Sequence, residues 1–310
     1  MTPSKNINLY GLRDDFDKII KLHDQNKMPN KILLSGKKGL GKSTLAYHFI
    51  NYIFSKNEES KYDVDNLIIN NENKSYRLLN NKTHPNFYLI DLFKDKNVID
   101  VKQIREMLIY ANKSSFNDTP KIILIDNIEY LNVSSVNALL KIVEEPNNKI
   151  YFILIHNNEK KILPTLKSRC ITFNINLSFE ESVKVSNLLI KKNTLELISP
   201  DLLNDYMTPG EFMKLLEFAN DKKLDLKRYS IKDFLNILID NAYYKKDKFI
   251  KGLLINYIEL FFLQKYKLTN AKNSLLEFYY EFLNKIYNTE KFYLDEESLF
   301  LEFKSKLLDG

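Results

Sequence analysis

The stretch KILLSGKKGLGKST, residues 31–44, decides the fold. KILLS is a short apolar run of the kind that forms a buried strand. GKKGLGKS, residues 36–43, matches the pattern G-x-x-x-x-G-K-[ST] at every position. The apolar spacing of residues 42–54 predicts a helix directly after it. Strand, glycine-rich turn and helix in that order make a phosphate cradle. Glycines let backbone N–H groups converge on one anion, and the helix N-terminus adds the positive end of its dipole. The whole chain holds seven glycines, and three of them are Gly36, Gly39 and Gly41. A mere turn before a lysine-rich helix would not need that concentration. Gly36, Gly39, Leu40, Gly41, Lys42, Ser43 and Thr44 are therefore expected to hold the phosphates of ATP or ADP. Lys42 would reach the terminal phosphates and Ser43 would hold Mg²⁺.

Outward from this stretch, apolar runs alternate with helical patterns. Strands are predicted at FYLID (87–91), KIILID (121–126), YFILI (151–155) and ITFNI (171–175). Helices are predicted at 12–25, from an Asp100 cap to 112, at 134–144 with Pro146 as the stop, and in a short piece ending at Lys167. Such alternation predicts a parallel sheet covered on both faces. Asp126, closing KIILID, is the acidic partner a Mg²⁺ shell needs. The next residue in working ATPases is usually a glutamate that polarises water. Here it is Asn127, and loss of a general base costs about 10²- to 10⁴-fold. Glu129 stands two positions further on and is expected as a surface residue of a helix or loop. Asn157 lies at the tip of strand 151–155, between His156 and Asn158. His23, His48 and His84 are expected in structural or surface roles. Residues 57–82, polar and asparagine-rich, are expected as an insertion or long loop.

The last of the eight prolines is Pro209. Proline breaks helix interiors, so the region beyond it suits an all-helical fold. Residues 234–266 and 274–287 have helical apolar spacing, and a further helix should start near Asp295, followed by Glu296 and Glu297. Residues 178–220 also have helical character. The expected division is a nucleotide-binding domain at 1–176, a small helical domain at 177–221 and a C-terminal helical domain at 222–310. A net charge of +6 permits nucleic-acid contact, but a solvated lysine-rich surface accounts for it as well. The single cysteine, Cys170, excludes a disulfide framework within the chain. It reads as a small buried residue opening a strand. No apolar signal core begins the chain, and the run 253–263 is too short and too polar, with Asn256 and Glu259, to span a bilayer. These features point to a cytoplasmic protein with no membrane contact. Arginine is scarce: Arg13, Arg77, Arg105, Arg169 and Arg228 are the five. An arginine against such a bias marks a place where lysine would not serve.

Three further segments sharpen the reading: THPNFYLID (83–91), NALLKIVEEPN (137–147) and Ser168-Arg169-Cys170. Taken in order with the phosphate loop and the acidic strand, they resemble the clamp-loader branch of the AAA+ ATPases, and within it the delta-prime group. The resemblance covers residues 7–220. It implies an α/β plus all-α chain: an AAA+ P-loop domain with a parallel sheet, a helical lid and a helical collar. It implies that Arg169 is an arginine finger acting on ATP held by a neighbouring subunit, and that Asn157 occupies the sensor position, where a polar side chain could read a γ-phosphate. It implies gamma/tau and delta subunits as partners, with the sliding clamp and primer-template DNA reached through the complex. Collar contacts between subunits would then bury aromatic residues such as Phe261, Phe262, Tyr279 and Tyr280. Lys141 and Glu144 are interface candidates on a helix face that solvent would explain equally well. Two departures matter. The four zinc-binding cysteines common in the group are missing from 57–82, so no zinc is expected. Met213 stands in Gly210-Glu211-Phe212-Met213, where active relatives have the arginine of G-x-x-R. Together with Asn127, this favours a delta-prime role over a catalytically active gamma/tau-like subunit. A small-substrate P-loop kinase, the alternative of another class, would need an arginine cluster that five scattered arginines do not supply.

Overall fold

The computed structural model describes residues 2–93, 96–113, 119–144, 150–268, 272–292 and 294–308. By internal contacts the chain divides into two compact units. One is Met1–Lys192 with Tyr206–Lys214, and the other is Asn193–Asp205 with Leu215–Gly310.

The first unit follows the alternation of its sequence. In chain order it runs α1 (Arg13–Asp24), β1 (Lys31–Ser35), α2 (Lys42–Ser55), α3 (Lys74–Asn80), β2 (Phe87–Ile90), α4 (Val101–Ala111), β3 (Lys121–Ile125), α5 (Val133–Glu144), β4 (Ile150–His156), α6 (Pro164–Lys167), β5 (Ile171–Asn174), α7 (Phe179–Ile190) and the start of α8 (Pro209–Lys222). The five strands form one parallel sheet in the order β2-β3-β4-β1-β5. Side chains alternate between its two faces, as the strand period of two requires. Ile32, Leu34, Ile122, Leu124, Ile153 and Ile155 pack on one face with Phe16 and Ile19 of α1 and Leu45, Phe49 and Ile50 of α2. Leu33, Ile123, Ile125, Phe152 and Leu154 pack on the other with Ile104 and Met107 of α4 and Val136 and Leu139 of α5. Both layers are apolar because both faces are covered. Asp100 caps α4 as its sequence predicts, accepting from the amides of Lys102 and Gln103, and its own amide donates back to the Gln103 side-chain oxygen. Pro146, expected to stop α5, lies outside the described residues, as do the last three residues of NALLKIVEEPN.

Residues 57–82 depart from the expected loop. Tyr62, Leu67, Ile69 and Leu79 are buried against the first face of the sheet. Glu58 accepts from the amides of Lys74 and Ser75, and Asn73 caps α3. Four apolar anchors spaced through a polar stretch suffice to fold it, although they make no regular period.

The second unit is helical: α9 (Ile231–Asp240), α10 (Lys248–Leu268), α11 (Lys272–Phe292) and α12 (Glu296–Phe303). The expected continuous run 234–266 is broken by a short turn containing Ala242 at φ +47°. Asp295 caps α12 through the amides of Glu297 and Ser298. Phe303 is a hub, with ring centroids 5.9 Å from Phe261, 5.9 Å from Phe262 and 5.3 Å from Phe282. This corrects one expectation. Phe261 and Phe262 are buried inside the unit itself, so they are spent on its own core and cannot face a neighbouring subunit. Tyr280 is exposed and Tyr279 half-buried. Among the described residues no helix is long and apolar enough to cross a membrane.

Candidate nucleotide site

The site is built from the ends of four parallel strands. β1 runs straight into the glycine turn. Asp91 follows β2, Asp126 and Asn127 follow β3, and Asn157 follows β4. Gly39 and Gly41 take φ of +88° and +90°, where other residues are strained. A side chain on Gly36 would collide with the carbonyl oxygen of Ile175. The turn thus has the glycines its backbone requires. Among the described residues, the amides of Gly39, Leu40, Gly41, Lys42, Ser43 and Thr44 donate to no acceptor of the protein. Unmatched N–H groups converging at the start of α2 are a ready anion cradle.

Lys42 is buried, and its ammonium donates to the carbonyls of Gly36 at 2.8 Å and Lys37 at 2.7 Å. Burial lowers its pKa to about 8, against the opposing fields of Asp126, Glu129 and Glu159. Ser43 donates its hydroxyl to Asp126 at 2.5 Å. Burial raises the Asp126 pKa; the Ser43 bond pulls it down and the charge of Asp91 pushes it up. A hydroxyl and a carboxylate are hard oxygen donors of the kind Mg²⁺ takes. The free amides, the buried ammonium and this oxygen pair fit a metal-bound polyphosphate. Leu40 is buried beneath the loop, and Thr44 accepts from the side chain of Asn6 at 3.3 Å.

Asn127 stands in the left-handed region at φ +58°. Its side-chain NH₂ donates to Asp91 at 2.7 Å, and its carbonyl oxygen accepts from the side chain of Asn157 at 2.9 Å. Asn157 is buried, and its own amide donates to Glu129 at 3.0 Å. Asp91, Asn127, Asn157 and Glu129 are therefore one hydrogen-bonded chain across the ends of β2, β3 and β4. Both ends of the Asn127 carboxamide are engaged, and it has no basic atom to take a proton from water. The chain corrects the expectation for Glu129. That side chain is buried, not on the surface, because the short turn after Asn127 folds it back under the tip of β4. One of its carboxylate oxygens has no partner among the described residues. Its place in the apolar run IEYL was the signal.

The start of α8 touches the loop directly, which the sequence reading missed. Lys37 donates to the carbonyl of Tyr206 at 2.9 Å and to Glu211 at 3.0 Å. Thr208 donates to the carbonyl of Lys38 at 2.9 Å, and the amide of Gly210 donates to the carbonyl of Gly39 at 3.0 Å. Thr208 and Glu211 have the T-x-x-E spacing of a capping box, a visible mark of a helix start. Met213, two residues after Glu211, is half-buried.

Arg169 is exposed at the end of α6, with one guanidinium nitrogen donating to the carbonyl of Thr165 at 2.9 Å. Cys170 is half-buried, and burial pushes its thiol up to about 11. At neutral pH it stays protonated and is no nucleophile. His48 is buried between Tyr62 and the carbonyl of Asn6, and His84 stacks on Phe54 at 4.0 Å; both are structural. Lys141 is exposed, while the side chain of Glu144 lies outside the described residues.

A parallel sheet with this loop at the end of β1 and an aspartate opposite it defines a P-loop protein. The sequence pattern of the family described as "DNA polymerase III, delta subunit" matches residues 13–178. The chain is 30% identical over 283 residues to DNA polymerase III subunit delta' of Buchnera aphidicola subsp. Schizaphis graminum, covering 88% of this chain and 83% of that one. It is also 30% identical over 205 residues to DNA polymerase III subunit gamma of the same organism, covering 62% and 52%. A solved gamma subunit-related protein of Thermotoga maritima superposes with a TM-score of 0.46 at 15% identity, over 92% of this chain and 97% of that one. The chain belongs to the DNA polymerase III delta-prime family.

Proposed function

We propose that this chain is the delta-prime member of a clamp loader. It takes one place in a ring with gamma/tau and delta subunits and holds ATP or ADP with Mg²⁺ without splitting it. It presents Arg169 to ATP on its neighbour, so that the ring can open the sliding clamp on primer-template DNA. Residues 1–176 are its nucleotide-binding domain, 177–221 its lid and 222–310 its collar. The bound nucleotide would lie on the free amides of residues 39–44, with Lys42 at its phosphates and Ser43 and Asp126 at the metal. Mg²⁺ there would neutralise phosphate charge, and Asn157 would lie beside the terminal phosphate.

The observation that carries the reading is the Asn127 carboxamide, tied between Asp91 and Asn157 where hydrolysis calls for a carboxylate. Met213 in place of an arginine supports it. The exposure of Arg169 also suits a residue that works on another molecule. The intact loop favours one competing reading, an active gamma/tau-like ATPase. Two measurements separate them. The proposed subunit should co-purify from its source with the other clamp-loader subunits, and alone it should turn over ATP no faster than its Lys42→Ala variant. Substantial turnover by the isolated chain, abolished by Lys42→Ala, would overturn the passive assignment.

A further inference from the structure

Lys37 and Lys38 of the phosphate loop are both held by carboxylates of the protein. Lys37 pairs with Glu211 at 3.0 Å and Lys38 with Glu159 at 2.9 Å. Glu159 belongs to the exposed turn after β4. Glu211 is different, because the segment that carries it grips three consecutive loop residues: the side chain of Lys37 and the carbonyls of Lys38 and Gly39. The grip is backbone to backbone at its centre. A Cβ on Gly210 would stand 2.7 Å from the Cα of Gly39, so neither residue can have a side chain without parting the two segments. All of these residues belong to the first compact unit.

We propose that Glu211 is an internal competitor for the phosphate loop, which must release Lys37 before the loop takes a nucleoside triphosphate. The inference rests on the reading that the loop binds nucleotide. Glu211 cannot follow Lys37 outward. Its carboxylate also accepts the amide of Thr208 at 2.9 Å, and its own amide donates to the Thr208 hydroxyl at 3.3 Å. The capping box fixes the carboxylate at the first turn of α8. Lys37 is the mobile partner, with 44% of its side chain exposed against 18% for Glu211. A polyphosphate entering the cradle offers Lys37 a denser negative charge, and one ammonium cannot serve both at full strength. The latch therefore sets a threshold for nucleotide entry and holds the start of α8 against the loop when none is there.

Glu211→Gln tests this, because glutamine still completes the capping box while the ion pair is lost. Two quantities are read on the full chain. One is hydrogen exchange at the Gly210 amide, the bond that closes the latch, without nucleotide. The other is the affinity for a fluorescent ATP analogue with Mg²⁺. The expected result is faster Gly210 exchange and about two- to fivefold tighter binding, with no further gain from Glu211→Gln in a Lys37→Met background. Unchanged Gly210 exchange overturns the latch. Faster exchange with equal affinity in the two proteins overturns its competition with nucleotide. If exchange quickens but neither protein binds the analogue, nucleotide binding itself fails and the competition fails with it.

Discussion

The Ser43 hydroxyl on the first turn of α2 donates to Asp126 at the end of β3 across 2.5 Å. This bond holds together the two oxygens that would share a metal. Without a cation, a buried carboxylate costs stability, as the raised pKa of Asp126 records.

Asp126→Asn should therefore stabilise the nucleotide-free protein at neutral pH while abolishing the Mg²⁺ dependence of nucleotide binding. The folded-state pKa lies above the unfolded value of 3.8. The stability of the native protein is thus complete below that value and is lost as pH rises through the folded pKa. Thermal midpoints of the two proteins should converge in strong acid and part as pH increases, with the variant melting higher at pH 7. A native protein that melts higher than the variant at pH 7 would contradict this.

Nucleotide affinity should fall with alkali because of Lys42. Its free pKa is about 8, and a polyphosphate favours the ammonium form. Above that pH, binding must first restore a proton, so affinity should drop by up to about tenfold per pH unit. Titrations from pH 7 to 9.5 would show the slope. Lys42→Arg, charged throughout, should flatten it, and a slope surviving in that variant would assign the titration elsewhere.

Arg169→Ala should leave folding and assembly intact, since the side chain is exposed and extends from the end of a short helix. On the proposed finger role, the reconstituted complex should lose DNA-stimulated hydrolysis at the neighbouring site by roughly 10³-fold. Single-turnover kinetics resolve that site from the others. Equal rates with and without the arginine would remove the finger assignment.

Phe303→Ala should destabilise the helical unit by about 3–5 kcal/mol, because it removes the ring on which Phe261, Phe262 and Phe282 converge. Denaturant unfolding followed by helical circular dichroism measures the loss. A cost under about 1 kcal/mol would mean the cluster closes over the gap.

Much of this architecture was legible because its signals are local. KILLS, KIILI and the capped start at Asp100 each declare their element within a few residues, and the G-x-x-x-x-G-K-S spacing declares the loop. What stayed hidden depends on residues far apart in the chain. Glu129 looked exposed because burial of a charged side chain is set by the tip of β4, some thirty residues on. The pairing of Glu211 with Lys37 was not legible because the two stand 174 positions apart. Phe261 and Phe262 looked available to a neighbour because helical periodicity shows an apolar face without saying what covers it.

Asp91 ties the identity of position 127 to its own charge. Replacing Asn127 with glutamate, the simplest way to regain a general base, would set two carboxylates against each other where one bond of 2.7 Å now stands. Repulsion would raise the pKa of the new acid and remove the bond that now orders this position, and a paired exchange that also neutralises Asp91 would relieve it. One hydrogen bond between the ends of two strands thus couples two positions that lie 36 residues apart in the chain.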